Sequence, residues 1–292
     1  MKEAKLILVT GGAGFIGSRL SARLARDGHR VIALDNYFAG SREPRVPGVD
    51  YREGHTRDIA RLVPETPARI YHLGEYARPE RSLAEPAVVF DLNLAGTAGV
   101  VEFWRQKNGV AACKLVYAGS STKFADGGDG RNQSPYAWTK AANTELVANY
   151  ARWYDLPYAI AYFYNVYGPG ERAGAYGTVI EIFRQKRLAR EPLVVNAPGT
   201  QTRNFTHVDD IIDGLLLVGE RGEGDGYGIG DERAYSVREV AELFGGAVVL
   251  GAHSPANRQM SAIDTAKTRA LGWVPRRDLA TYITESLARL PA

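Results

Sequence analysis

The stretch that most constrains the fold lies at the start of the chain. Residues 4–10 read Ala-Lys-Leu-Ile-Leu-Val-Thr, a short apolar run rich in β-formers that suits a strand buried on both faces. It runs directly into Gly11-Gly12-Ala13-Gly14-Phe15-Ile16-Gly17-Ser18-Arg19-Leu20. The pattern predicts a helix to about Asp27, with Gly28 as its C-cap. A second strand, Val31-Ile32-Ala33-Leu34, ends at Asp35. In this order the glycines have separate tasks. Gly11 permits the tight turn, Gly14 lets backbone approach a pyrophosphate, and Gly17 lets the helix pack close to the sheet. The pyrophosphate would sit on free N–H groups at the helix N-terminus. Asp35 stands where a carboxylate accepts the ribose hydroxyls of NAD and repels the extra phosphate of NADP. A lone glycine turn would mean little, but strand, glycines, helix, strand and acid in sequence point to a dinucleotide.

Strands continue to alternate with helices. Strands are predicted at Arg69–Leu73, Lys114–Ala118 and Tyr158–Tyr164, and helices at 87–106, stopped by Asn108-Gly109, and at 134–154. That alternation implies parallel βαβ units in a doubly wound sheet. Beyond about Asn165 the pattern loosens. Glycines and prolines at 168–170, 197–199 and 222–230 interrupt short elements, with helices predicted near 176–189, 208–219, 236–245 and 278–290. The expectation is an α/β protein: a Rossmann-type domain over 1–165 and a smaller α+β lobe over 166–292, with elements interleaved rather than joined by a clean linker.

A second motif lies far downstream. Tyr136 and Lys140 form the only Tyr-x-x-x-Lys in a chain with 16 tyrosines. At i and i+4 they share a helix face. A nearby ammonium favours phenolate and lowers the tyrosine from its ordinary value of about 10. Such a phenol exchanges protons at neutral pH. Ser120 and Ser121 are predicted just past the strand ending at Ala118, in the crevice where parallel sheets bind ligands. A hydroxyl there serves a substrate oxygen, or simply caps its own loop.

Composition excludes several classes. The 292 residues are 45% hydrophobic and 24% charged, an ordinary globular balance. The net charge of +3 is interspersed, with no basic stripe, so nucleic acid is not indicated. No apolar stretch reads as membrane-spanning. Met1-Lys2-Glu3-Ala4-Lys5 leads straight into the first strand and leaves no room for a signal peptide. Cys113, the single cysteine, excludes an internal disulfide and a cysteine metal cluster, and no metal site is expected; it reads as a buried structural thiol. A cytoplasmic protein is expected.

These motifs resemble the extended short-chain dehydrogenase/reductase superfamily, specifically its nucleotide-sugar epimerases and dehydratases. The resemblance rests on Thr10–Gly17, Asp35-Asn36, His72-Leu73, Asn93-Leu94-Ala95-Gly96-Thr97, and Ser134-Pro135-Tyr136 with Lys140. Tyr164–Pro169, Thr202–Asp210 and Leu271–Pro275 extend it over nearly the whole chain. It implies tightly bound NAD held by Gly11, Gly14, Phe15, Ile16, Gly17, Asp35, Asn36, Leu73 and Lys140. It implies Tyr136 as the base that takes a sugar hydroxyl proton, Lys140 as its tuner, and Ser120 as the catalytic hydroxyl. Ser121, Asn165, Arg203 and Arg258 are implied on the substrate side, the arginines forking onto diphosphate oxygens. Related enzymes dimerise through the helix carrying Tyr-x-x-x-Lys and the one before it. A homodimer is implied, with Trp104, Trp138, Trp153 and Tyr154 serving either interface or core.

Dehydratases of this kind carry Asp-Glu after the catalytic hydroxyl, where this chain has Ser121-Thr122. That favours epimerisation, most simply of a UDP-hexose at C4. Three places depart from the family pattern. The usual His-Leu-Ala-Ala reads His72-Leu73-Gly74-Glu75, placing an acid near the active-site rim. Glu75 is either a loop charge paired with Arg78 or Arg81, or a substrate-side acid that would make the chain a dehydratase. The usual aromatic segment after the catalytic serine reads Lys123-Phe124-Ala125, and the usual Gly-Asp near the adenine reads Gly54-His55. Asp58 is a helix-cap candidate, and Asp209-Asp210 are expected to cap and charge the helix that follows. Ser261, ahead of Asp264-Thr265-Ala266-Lys267, takes the place that gates the C2 substituent; a small residue admits an N-acetyl group. A catalytically silent NAD-binding regulator is the remaining alternative.

Overall fold

The apolar run at the N-terminus becomes β1 (Leu6–Thr10), and the turn after it opens α1 (Phe15–Arg26). The chain continues through β2 (Arg30–Asp35), β3 (Val49–Glu53), α2 (Ile59–Leu62), β4 (Arg69–His72), α3 (Pro79–Ser82) and α4 (Pro86–Val89). Next come α5 (Gly96–Asn108), β5 (Lys114–Ser120), α6 (Pro135–Tyr154), β6 (Tyr158–Phe163), β7 (Asn165–Tyr167), α7 (Val179–Leu188), β8 (Leu193–Asn196) and β9 (Thr202–His207). The last elements are α8 (Val208–Arg221), β10 (Gly224–Ile229), β11 (Ala234–Ser236), α9 (Val237–Phe244), β12 (Val248–Gly251), α10 (Ala266–Ala270) and α11 (Leu279–Ala288). This computed structural model describes residues 3–43, 45–172, 174, 176–252 and 263–288, the side chains of 125–128 excepted. Arg258 and Ser261 lie outside the described residues.

Seven strands, in the order β10-β6-β5-β4-β1-β2-β3 and all parallel, make the main sheet. Alternation along each strand feeds two cores. Leu8, Ile70, Leu115 and Tyr117 face α5 and α6, packing with Trp104, Phe103 and Val147. Ile7, Val9, Tyr71 and Val116 face the other way, against Leu20 of α1, Leu215 of α8 and Trp273. Each such aliphatic side chain contributes about 1.5–3 kcal/mol by leaving water.

Three elements differ from the sequence reading. The glycine-rich stretch 222–230 was expected to break structure, yet it contains β10, the seventh strand of the sheet. The glycines permit close approach: a Cβ on Gly228 would lie 1.9 Å from the Asp264 carbonyl oxygen, and one on Gly230 2.5 Å from the Tyr164 ring. Inside the polar stretch 36–50 the chain already begins β3, whose period-2 pattern is masked by charge on its exposed edge. Residues Pro86–Asn108 form one helical run of 23 residues, long and apolar enough by length and composition to cross a membrane, contrary to the reading above. Val89, Val100, Val101, Phe103 and Trp104 of that run are buried in the protein, the ordinary behaviour of a core helix.

The smaller lobe gathers β11-β9-β7, the β12-β8 pair and helices α7, α9 and α11 around Tyr167, Phe183, Phe205, Phe244 and Ile283. The four helices predicted after residue 165 are present as α7, α8, α9 and α11. Cys113 is buried, and burial pushes its thiol up to about 12, as a structural thiol requires.

Candidate active site

In the main sheet β1 and β4 are neighbours, and the strand order runs outward from them in both directions. This topological switch point opens a crevice at the carboxyl ends of the strands. The turn after β1 occupies one side of it. Gly11 has φ +68°, and a Cβ there would lie 2.8 Å from the Leu73 carbonyl. A Cβ on Gly17 would lie 2.0 Å from the Gly11 oxygen, so any side chain would push α1 off the turn. Gly14 is the N-cap of α1, with no side-chain cap and no acid in the first turn, where Phe15 and Ile16 sit half-buried. Those features leave the helix N-terminus suited to an anion.

Asp35, at the end of β2, is buried. Its carboxylate accepts from Ala13 N at 3.0 Å and Tyr37 N at 2.7 Å. Burial pushes this carboxyl above its ordinary value, against the backbone amides of Tyr37, Ala13 and Gly14 and the charge of Arg172. Asn36 Oδ1 accepts from Phe38 N at 3.1 Å. Leu73 N donates to Thr10 across the crevice. Open turn, uncapped helix and acid at the end of β2 together fit a dinucleotide.

The other side is built by α6 and β5. Ser134 starts the helix by accepting from Ala137 N at 3.2 Å, and Pro135 occupies its first turn. Tyr136 and Lys140 then stand one turn apart, both against β5. The Tyr136 hydroxyl donates to Ser120 Oγ at 3.1 Å, and Lys140 Nζ donates to the Ala118 carbonyl oxygen. Ser120 also accepts from Thr122 Oγ1 at 2.9 Å. β5 runs on to Ser120 rather than stopping at Ala118, so the serine is fixed by sheet pairing with Phe163, and the buried Ser121 begins the 3-10 run that follows.

Glu75 is not a rim charge, and it pairs with neither Arg78 nor Arg81. Its side chain is 3% exposed and forms an ion pair with Lys140. Tyr117 OH, Thr97 Oγ1 and Asn143 Nδ2 donate to it at 3.0, 2.7 and 2.6 Å. Burial would raise this carboxyl, but the Lys140 charge and its hydrogen bonds outweigh burial and hold it below the ordinary carboxylate value. Burial and then the Glu75 charge push the Tyr117 phenol well up, so it remains a donor. Behind the pair, His72 lies between Thr10 Oγ1 at 2.7 Å and Thr97 Oγ1 at 2.9 Å. Burial pushes it down to about 4, so its ring is neutral at neutral pH. Arg78 instead donates to the Tyr176 and Ala77 carbonyl oxygens, and Arg81 pairs with Glu85.

Thr97, Asn143 and Tyr117 were not singled out as site residues by sequence. Thr97 belongs to the quoted segment 93–97, the one signal that could have pointed here. Its helical run contains a π-turn over Phe90–Ala95, and the Asn93 carbonyl oxygen there accepts from Asn143 Nδ2 at 3.0 Å.

The remaining candidates fall elsewhere. Asn165 and Arg203 stand on the paired strands β7 and β9; Asn165 Nδ2 donates to the Asn204 carbonyl oxygen at 3.3 Å. Lys123 is drawn to Asp225 and the Tyr162 hydroxyl. His55 is half-buried rather than exposed: it caps a 3-10 turn through Arg57 N and lies 3.3 Å from Asp91. Asp58 occupies an N-cap position without making a side-chain cap. His207, not an aspartate, caps α8, whose first turn carries Asp209 and Asp210; the buried Asp210 holds Arg277 and two backbone amides. Trp104 is in the core, whereas Trp138, Trp153 and Tyr154 are exposed. Over the crevice, Phe38, Tyr76 and Tyr176 pack edge to face, and Arg172 reaches the Ala39 and Gly40 carbonyl oxygens.

This arrangement belongs to a known class: the family profile described as NAD dependent epimerase/dehydratase family matches residues 7–230. The chain is a member of that family. It is 30% identical to a UDP-glucose 4-epimerase of Mycolicibacterium smegmatis, over 96% of each chain. It is 27% identical to UDP-glucuronic acid decarboxylase 1 of Xenopus tropicalis, over 94% of this chain and 69% of that one. Among solved structures, a Thermus thermophilus UDP-glucose 4-epimerase in complex with NAD superposes with a TM-score of 0.87 at 26% identity, covering 97% of this chain and 98% of that one. The relatives thus include epimerases and decarboxylases on one NAD-dependent fold.

Proposed function

We propose that the chain epimerises a nucleotide sugar, a UDP-hexose at C4, with NAD kept in the site between turnovers. The observation that carries this reading is the pairing along β5. Two residues apart on one strand, Ala118 takes the Lys140 ammonium and Ser120 takes the Tyr136 hydroxyl, at the crevice whose other end is the glycine turn. Gly11, Gly14, Gly17, Asp35 and Leu73 would hold the dinucleotide. Bound there, NAD would accept a hydride from the sugar carbinol carbon and return it.

The protein's own part is proton traffic. Tyr136, as phenolate, takes the C4 hydroxyl proton as the carbinol becomes a ketone, and gives it back when the carbon is reduced from its other face. Ser120 bridges the phenol and the sugar oxygen. Lys140 stands one helical turn from that phenol, its ammonium on the Ala118 carbonyl oxygen. Asn165 and Arg203, together with Arg258, are the candidates for holding the diphosphate.

The dehydratase reading, with Glu75 as its acid/base, has less support: Glu75 accepts from four side chains, Lys140 among them, and is held below the ordinary carboxylate value. The test is incubation with UDP-glucose, UDP-N-acetylglucosamine and UDP-glucuronic acid, with products read by NMR and mass spectrometry. Epimerisation conserves mass, dehydration loses water, and decarboxylation loses carbon dioxide. Tyr136→Phe is expected to reduce turnover by about 10²–10⁴-fold. Loss of mass from the substrate, or full activity in Tyr136→Phe, would sink the proposal.

A further inference from the structure

The lysine that serves Tyr136 is already committed to a carboxylate. Lys140 is 6% exposed, and its Nζ donates to Glu75 and to the Ala118 carbonyl oxygen. Its Nζ also lies 4.7 Å from the centre of the Tyr117 ring. Glu75 is equally committed. Donors from α5 (Thr97), β5 (Tyr117) and α6 (Asn143 and Lys140) converge on its two oxygens. An acid so enclosed serves the protein, not the solvent.

We infer that Glu75 is a positioning residue for Lys140, keeping the amine charged and pinned to β5 in the place from which it acts on Tyr136. A buried amine without a counter-ion sheds its proton; buried lysines drop by up to about 3–5 pH units. With Glu75 present, the ammonium is set before any ligand arrives. The inference rests on the reading of Tyr136 and Lys140 as the working pair, but its test does not measure turnover.

The charged and titratable groups around Lys140 are few among the described residues. Glu75 faces it from the loop after β4, Tyr117 from β5 and Tyr136 from its own helix. His72, neutral, is reached through Thr97. Arg78 acts on the Tyr136 side of the site.

The experiment labels the folded protein with a small amine-reactive reagent across a pH series, and follows the Lys140 peptide by mass spectrometry. In Glu75→Gln the midpoint of Lys140 labelling is expected to fall by more than about one pH unit relative to the parent chain. An unchanged midpoint would overturn the inference. So would a rise, which would mean that Glu75 only packs the loop. If Glu75→Gln does not fold, Glu75→Gln/Lys140→Met is expected to recover most of the lost melting temperature, because a buried charge suffers most when its partner alone is removed. Absence of that recovery would equally overturn the inference.

Discussion

Two buried carboxylates mark the two ends of the crevice, and they are held in opposite ways. Asp35 is held by backbone amides, with no cation within ion-pair distance among the described residues, and its carboxyl is pushed up by burial. Glu75 is held by an ammonium and three neutral donors, and its carboxyl is pulled down. Amides orient a carboxylate without cancelling its charge, so Asp35 keeps a net charge. An ammonium cancels it, so Glu75 is spent inside. One acid is left with its charge and the other has it met by a neighbour.

Gly17→Ala should be the most damaging change at the Asp35 end. Its Cβ would lie 2.0 Å from the Gly11 oxygen, an overpacking that costs about 1–3 kcal/mol and displaces the turn. The expected result is a lower melting temperature and loss of NAD released on denaturation. Full NAD content would show that the turn does not hold the cofactor.

Stability against pH separates the two acids more finely. Asp35 has a raised carboxyl in the folded chain, so its contribution is present in acid and is lost as pH rises through that raised value. Asp35→Asn should therefore gain relative stability toward neutral pH. Glu75 has a lowered carboxyl, so its contribution is present above the ordinary range of about 4.3 and is lost as pH falls through the lowered value. Glu75→Gln should cost stability at neutral pH, and less in acid. Melting temperatures between about pH 3 and pH 8 decide the matter; a common sign for both variants would erase the contrast.

The smallest effect is expected from Arg172→Ala, which removes a bridge from the second half of the chain to the loop beside Asp35. The stability change should be about 1 kcal/mol or less. Exchange of bound NAD for labelled NAD should quicken by up to about fivefold, the rate equivalent of that energy. Equal exchange rates would show that this loop is not what retains the cofactor end.

The same contrast explains what could be read in advance. Asp35 takes its amides from residues 2 and 22 positions away, within one βαβ unit whose glycines announce it. Tyr136 and Lys140 share one helical turn. Glu75 meets Lys140 across 65 positions and Asn143 across 68, through three different elements. No local pattern encodes such a meeting, so the sequence alone reads Glu75 as a loop charge paired with Arg78 or Arg81 or as a substrate-side acid. β10 was hidden for another reason: glycines chosen for close approach to Asp264 and Tyr164 look like loop.

The seventh strand also bears on what the chain could lose. β10 covers the edge of β6, and α8 covers the face of the sheet holding Ile7, Val9 and Tyr71. Both come from beyond residue 165, after the chain has already built part of the smaller lobe. A fragment ending at 165 would keep the glycine turn, Tyr136 and Lys140, yet leave β6 a bare edge beside an uncovered apolar face. Such an edge invites aggregation. The glycine turn, Tyr136 and Lys140 thus lie in the first half of the chain, but the sheet that carries them is completed only by the second.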